Sequence, residues 1–258
     1  ATSGQITLAP TAVAGTNTIT IPATTGTMLT SASPAITTPT ITGAVLSAGT
    51  ASVAPLDFTA GTNLTTAIAG AIEYDGKVFY GTPQSTQRGV IPGAQFFRLN
   101  SDLAGTQATT AQNVFGVGVT LSASTVYAFE CNLTLTKTAG TTSHGISHGF
   151  GGTATLNNIL YEAVYINAAA ALPTGGTPNF GSINSASVVT VMSPSTSATN
   201  SFMMTYKGTV SINAGGTFIP QYTLSAAPGG AYSTTAGSYF LIYPIGASGA
   251  NNSVGTWA

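Results

Sequence analysis

Charge is nearly absent from this chain, and that limits what it can fold into and bind. Of 258 residues only 4% are Asp, Glu, Lys or Arg, against roughly 25% in an ordinary soluble domain. Hydrophobic residues still make up 43%, so a core can form. Disordered chains pair low hydrophobicity with high net charge, and this chain has neither. Its surface must therefore be Thr, Ser, Asn, Gln and Gly. A surface kept soluble without net charge is best served by hiding its apolar faces in an assembly.

The same scarcity excludes partners. Five Lys and Arg against six Asp and Glu leave a formal net charge of -1. Tracking phosphates or anionic lipid needs clustered Lys and Arg, so neither nucleic acid nor a membrane is expected as a partner. No run of about eighteen apolar residues is present to span a bilayer. The opening ATSGQITL has no basic stretch followed by an apolar run, so it does not read as a signal peptide. The single Cys131 cannot form a disulfide within the chain. It alternates with Phe129, Leu133 and Leu135 and reads as a small buried residue.

Gly, Thr, Ser and Asn recur every few residues, and no long stretch has helical period. Branched Thr and Val suit a pleated strand, while Gly, Asn and Pro supply turns. The Ala-rich stretch 167–172 is too short to stand as a helix. The fold class expected is all-β, in three zones.

Residues 1–53 read as an extended N-terminal arm. Ile6 and Leu8 share one face of one strand piece, and Ile19 and Ile21 share one face of another. Pro10, Pro22, Pro34 and Pro39 interrupt the run. Such a segment cannot close a core alone, so it should order by wrapping around other copies or a neighbour. Residues 54–92 read as a small connector module. Within it AIEY and KVFY flank Asp75-Gly76, a strong hairpin signal, and TPQSTQRGVI reads as a loop containing Arg88. Residues 93–258 carry nine strand candidates: AQFFRL, VGVTL, TVYAFECNLTLT, HGISHGF, ILYEAVYIN, SVVTVM, SFMMTYKGTVSIN, TFIPQYTLS and YFLIYPIG. Stretches such as PTGGTPNFGS and SAAPGGAYST read as loops. That count points to a β-sandwich of jelly-roll type.

Candidate chemistry is sparse. Glu73, Asp75 and Lys77 place three of the eleven charged residues within five positions. They read as a charged hairpin tip or an ion pair, since a metal site needs more ligands. His144 and His148, the only histidines, share a strand face about 13 Å apart, too far to hold one ion within a chain. An inter-chain metal on a symmetry axis is the alternative to plain polar residues. Glu130 and Glu162 form an acid pair only if the fold joins them. No GxSxG elbow is present, so no catalytic residues and no cofactor are expected. Tyr161, Tyr165, Phe202, Tyr206, Tyr222, Tyr239, Phe240 and Tyr243 read as core or interface. Tyr232, in a Gly- and Pro-rich loop, is the candidate exposed receptor contact, and Trp257 is expected to pack and close the last strand.

Two stretches, ITLAPTAVAGTNTITIPATTGTML and PLDFTAGTNLTTAIAGAIEYDGKVFY with Arg88 after it, resemble segments of phage tail-fibre and other virion proteins. The strand TVYAFECNLTLT, the pair GTFIPQYTLSAAPGG and the closing GSYFLIYPIG resemble the jelly-roll knob of complement globular heads and tumour-necrosis-factor-like domains. That resemblance implies a homotrimer packed about a three-fold axis. It leads to the expectation of a structural protein of a bacteriophage virion. The expected form is a fibre or spike anchored through its arm to tail, baseplate or capsid proteins, with a knob for a host glycan or protein. The competing expectations are a capsid-decorating protein and a bacterial carbohydrate-binding adhesin.

Overall fold

The computed structural model describes residues 43–169, 178–249, 251 and 253–257. The arm positions Ile6, Leu8, Ile19 and Ile21 lie outside the described residues, as do the last residues of the Ala-rich stretch. The chain divides into two compact units, Ala1–Leu56 and Asp57–Ala258. Described residues 43–56 of the first unit form no strand. In the second, the described residues form strands and turns with no helix.

The strands are β1 (Ile72–Tyr74), β2 (Phe79–Gly81), β3 (Gly89–Ile91), β4 (Gln95–Arg98), β5 (Leu103–Ala104), β6 (Gln112–Asn113), β7 (Val119–Leu121) and β8 (Thr125–Lys137). They continue as β9 (His144–Gly151), β10 (Thr155–Ala168), β11 (Asn179–Ile183), β12 (Val189–Ser195), β13 (Asn200–Ala214), β14 (Gly216–Leu224), β15 (Ser233–Thr234) and β16 (Tyr239–Ala247). Every pairing is antiparallel. The first three strands make a small sheet. The larger of the other two sheets is built on β11, β10, β13, β8, β16 and β4, and the smaller on β12, β9 and β14.

All nine strand candidates of the sandwich region form strands. Two loops were misread. Asn179–Ile183, which begins within PTGGTPNFGS, forms β11, an edge strand on β10. Within TPQSTQRGVI, residues Gly89–Ile91 form β3, the third strand of the small sheet. Both pieces are Gly-rich and short, and pairing with a neighbour supplies what propensity does not.

Period-two burial builds the core. Along β8 the side chains of Tyr127, Phe129, Cys131, Leu133 and Leu135 all point inward and are buried. Across the ladders the next inward row runs Tyr161, Gly208, Phe129, Ile242. A β-carbon on Gly208 would collide with the backbone of Leu160 and Tyr161, so only glycine lets β13 pass this close. Phe150 and Phe218 of the smaller sheet stack at 4.5 Å and reach Phe129 at 5.6 and 6.2 Å between ring centres. One core therefore joins the two sheets into a β-sandwich.

His148 sits inside this aromatic core, 4.8 Å from the Tyr206 ring and 5.2 Å from Phe150. Burial pushes its imidazole down to about 3. An unfolded chain protonates histidine near pH 6.5, so the unfolded state binds the extra proton first as pH falls. This contribution is complete above pH 6.5 and is lost as pH drops toward 3, by up to about 1.4 kcal/mol per unit. Chemical denaturation between pH 6.5 and 5 should show this loss in the native protein, and His148→Phe should flatten it; an unchanged slope would contradict the assignment.

Candidate interaction surfaces

The connector sheet begins with a turn that Asp75 organises. Its Oδ1 accepts the N–H groups of Lys77 at 2.8 Å and Val78 at 2.9 Å, and Tyr80 donates its hydroxyl to Oδ2 at 2.8 Å. Gly76 takes φ of +87°, which glycine adopts at no steric cost. Desolvation works to raise the Asp75 carboxyl, but these donors together hold it below its usual value. Burial and the Asp75 carboxylate push the Tyr80 phenol up. Glu73 is stapled from outside the hairpin. Arg88 Nε meets its Oε2 at 2.8 Å, Nη2 meets Oε1 at 3.2 Å, and the Leu64 N–H adds 2.6 Å. The Leu64 N–H foremost, then Arg88, hold the Glu73 carboxyl low against desolvation. Lys77 instead reaches the Ala123 carbonyl at 2.9 Å. These charges fasten the backbone, and the ion pair of Glu73 is with Arg88 rather than with Lys77 across the hairpin.

Alternation gives the small sheet two unlike faces. Tyr80 and Glu73 point to one side, Ile72, Phe79 and Ile91 to the other. Those three are 56%, 38% and 45% exposed. Gly81 and Gly89 stand opposite Ile72 and leave a shallow apolar trough beside it. Leu64 and Ile68 of the same module are also exposed. These side chains make an exposed apolar patch on a three-stranded sheet of three-residue strands.

The larger sheet has a second open face. Register places Glu162, Lys207, Glu130, Leu241 and Phe96 in one row across it. Glu130 and Glu162 thus share a face, with Lys207 between them, and Tyr239 donates its hydroxyl to Glu130. Leu160 and Val164 are exposed beside them.

Two sequence expectations are corrected. Tyr232 is 0% exposed, so it is not a surface contact. Its hydroxyl meets His144 Nε2 at 2.8 Å, while His144 Nδ1 meets the Thr142 carbonyl at 2.7 Å. A buried imidazole needs polar partners, and the loop folds in to provide one. Trp257 is 81% exposed and closes no strand. The two histidines are both buried on β9. Among the described residues no group of three His, Cys, Asp or Glu can hold a metal.

Lys137 escaped the sequence reading. It is the next inward position after Leu135 on β8, so its buried side chain was legible from the alternation alone. Its ammonium donates among the carbonyls of Ala139, Gly140, Ser197 and Ala198, tying two loops together. Desolvation pushes its pKa down.

No protein-family model matches this chain, and no curated protein does. Solved structures that align with it include the VP2 subviral particle of infectious bursal disease virus, at 9% identity over 63% of this chain and 43% of that one, with a TM-score of 0.15. The Gt strain of the same virus aligns at 11% identity over 68% and 46%, with a TM-score of 0.14. The chain spans less than half the length of those structures. Likeness at this level carries no argument about fold or function.

Lys137→Met should leave four carbonyls without their donor at a cost of about 3 kcal/mol or more. A lower denaturant midpoint, with earlier proteolysis in loops 138–143 and 196–199, is the expected result.

Proposed function

We propose that this chain is a structural, non-catalytic component of a bacteriophage virion: a homotrimeric fibre or spike. In this reading arm 1–53 attaches it to other virion proteins, module 54–92 holds three copies together, and jelly-roll domain 93–258 faces outward toward a host surface. The observation that carries self-association is the partly exposed apolar face of Ile72, Phe79 and Ile91, on which Phe58 and Tyr74 cover part of Phe79. In a chain with 4% charged residues little else opposes aggregation, so an apolar face of this kind is best matched by copies of itself. A closed ring of three would satisfy such a face without leaving an open end. The choice of three, and of a virion, rests on the resemblance to tail-fibre segments and to trimeric knobs. Sheets built on a long central β8, with the C-terminal β16 beside it, suit that jelly-roll reading.

Three copies add avidity to weak single contacts. Arm packing through Ile6, Leu8, Ile19 and Ile21 belongs to the same proposal, since three wound segments would share burial that one alone lacks.

Light scattering on a sizing column tests the assembly. Three chains of 25.6 kDa make 76.8 kDa, the expected mass. The double variant Ile72→Asp, Phe79→Asp should elute near 25.6 kDa with its β circular dichroism intact. A native protein at the single-chain mass would overturn the trimer.

A further inference from the structure

The outer face of the larger sheet mixes apolar and charged side chains. An antiparallel sheet that faces water turns polar residues outward, yet Leu160, Val164, Phe180 and Phe96 lie on this face, 39% to 74% exposed. Three of the eleven charged residues stand side by side among them: Glu162, Lys207 and Glu130. Adjacent strands hold these backbones only about 4.8 Å apart, but the one ion pair among the described residues is that of Glu73 with Arg88. We propose that this face docks on the same face of a second copy, about a two-fold axis running along the strands between β13 and β8.

The register of the ladders selects the axis. Beside the row of Glu162, Lys207, Glu130, Leu241 and Phe96 runs a second, from Phe180 through Val164, Thr205, Asn132 and Tyr239 to Arg98. Leu160 and Tyr243 stand in a third, on β10 and β16. A two-fold axis between β13 and β8 exchanges those two strands, and with them β10 with β16 and β11 with β4. Lys207 of each copy then stands over the partner's Glu130, and Thr205 over the partner's Asn132. Val164 and Leu160 meet the partner's Tyr239 and Tyr243, while Phe180 offers its ring to the partner's Arg98. Glu162 falls over the partner's Leu241, with its own Lys207 beside it to match its charge. An axis through β13 would set Lys207 on Lys207, and one through β8 would set Glu130 on Glu130. An axis between β10 and β13 pairs Lys207 with Glu162 but overlaps four strands in place of six.

Size and shape agree with such a contact. Six overlapping strands cover on the order of 700 Å² per copy at the usual strand spacing and rise, close to the roughly 800 Å² per partner of a standard interface. A hollow of about 470 Å³ on this face, bordered by Glu130, Glu162, Lys207, Leu160, Leu241 and Tyr243, gives room for the facing side chains. Exposed ion pairs contribute little, so the contact is weak, with a Kd on the order of 0.1 mM, and dilute sizing reads the unpaired species. A three-fold axis brings unlike parts of a surface together. The two-fold contact is therefore separate from the proposed trimer and does not rest on it.

The test follows the mass of the full chain by light scattering as its concentration rises from about 0.01 to about 1 mM in low salt, a range that brackets the stated Kd. The mass should at least double from its dilute value, and the rise should fade in about 1 M salt, where charges are screened within about 3 Å. Lys207→Glu and Glu130→Lys each set like charges face to face, so each variant should keep its dilute mass with native circular dichroism. An equimolar mixture of the two restores both pairs and should associate again. Glu162→Lys should associate alone, because that position faces Leu241. A native mass that stays constant over the range overturns the proposal, as does a mixture that stays apart. Association of Glu130→Lys but not of Glu162→Lys overturns the stated axis. A dilute mass of 25.6 kDa that doubles on concentration would remove the trimer and keep this contact.

Discussion

Phe129 lies where the sandwich is held together. Its ring comes within 5.6 to 6.2 Å of Phe150 and Phe218 on one sheet and of Tyr161, Tyr206 and Phe240 on its own. Offset and edge-on ring pairs add to the burial of large apolar area. The cluster closes only because Gly208 removes a side chain from the row between Tyr161 and Phe129. The open outer face of the larger sheet and the loop end tied by Lys137 and His144 take their positions from this joint.

Scarcity of charge shapes the rest. The few charged groups are largely spent on backbone. Asp75 caps a turn, Glu73 and Arg88 fasten Leu64, and Lys137 gathers four carbonyls. With charges turned to internal fastening, solubility falls to hydroxyl and amide groups. The connector sheet divides these roles by pleat: apolar side chains to one side, a carboxylate and a phenol to the other.

Much of the sandwich was readable from alternation, because a strand with one buried face writes period two into its sequence. β8, β10, β13, β14 and β16 all do so, and the burial of Cys131 and of most strand aromatics followed. β3 and β11 were missed because short Gly-containing edge pieces have no such pattern. Tyr232 was misplaced for a different reason. Its neighbours signal a loop, and only the buried His144, eighty-eight positions away in sequence, draws it inward.

By itself, then, the sequence determined the all-β class, the Asp75 turn, the inward face of each long strand and the scarcity of charge. These are local or compositional properties, set by residue type and spacing. The tertiary structure decided what depends on distant residues meeting: which sheet each strand joins, the pairing of Glu73 with Arg88, the Lys137 carbonyl cluster, and the burial of Tyr232. It also decided that Trp257 stays exposed. Side-chain type states what a residue can bond to, but only the closed fold sets which partners come within reach.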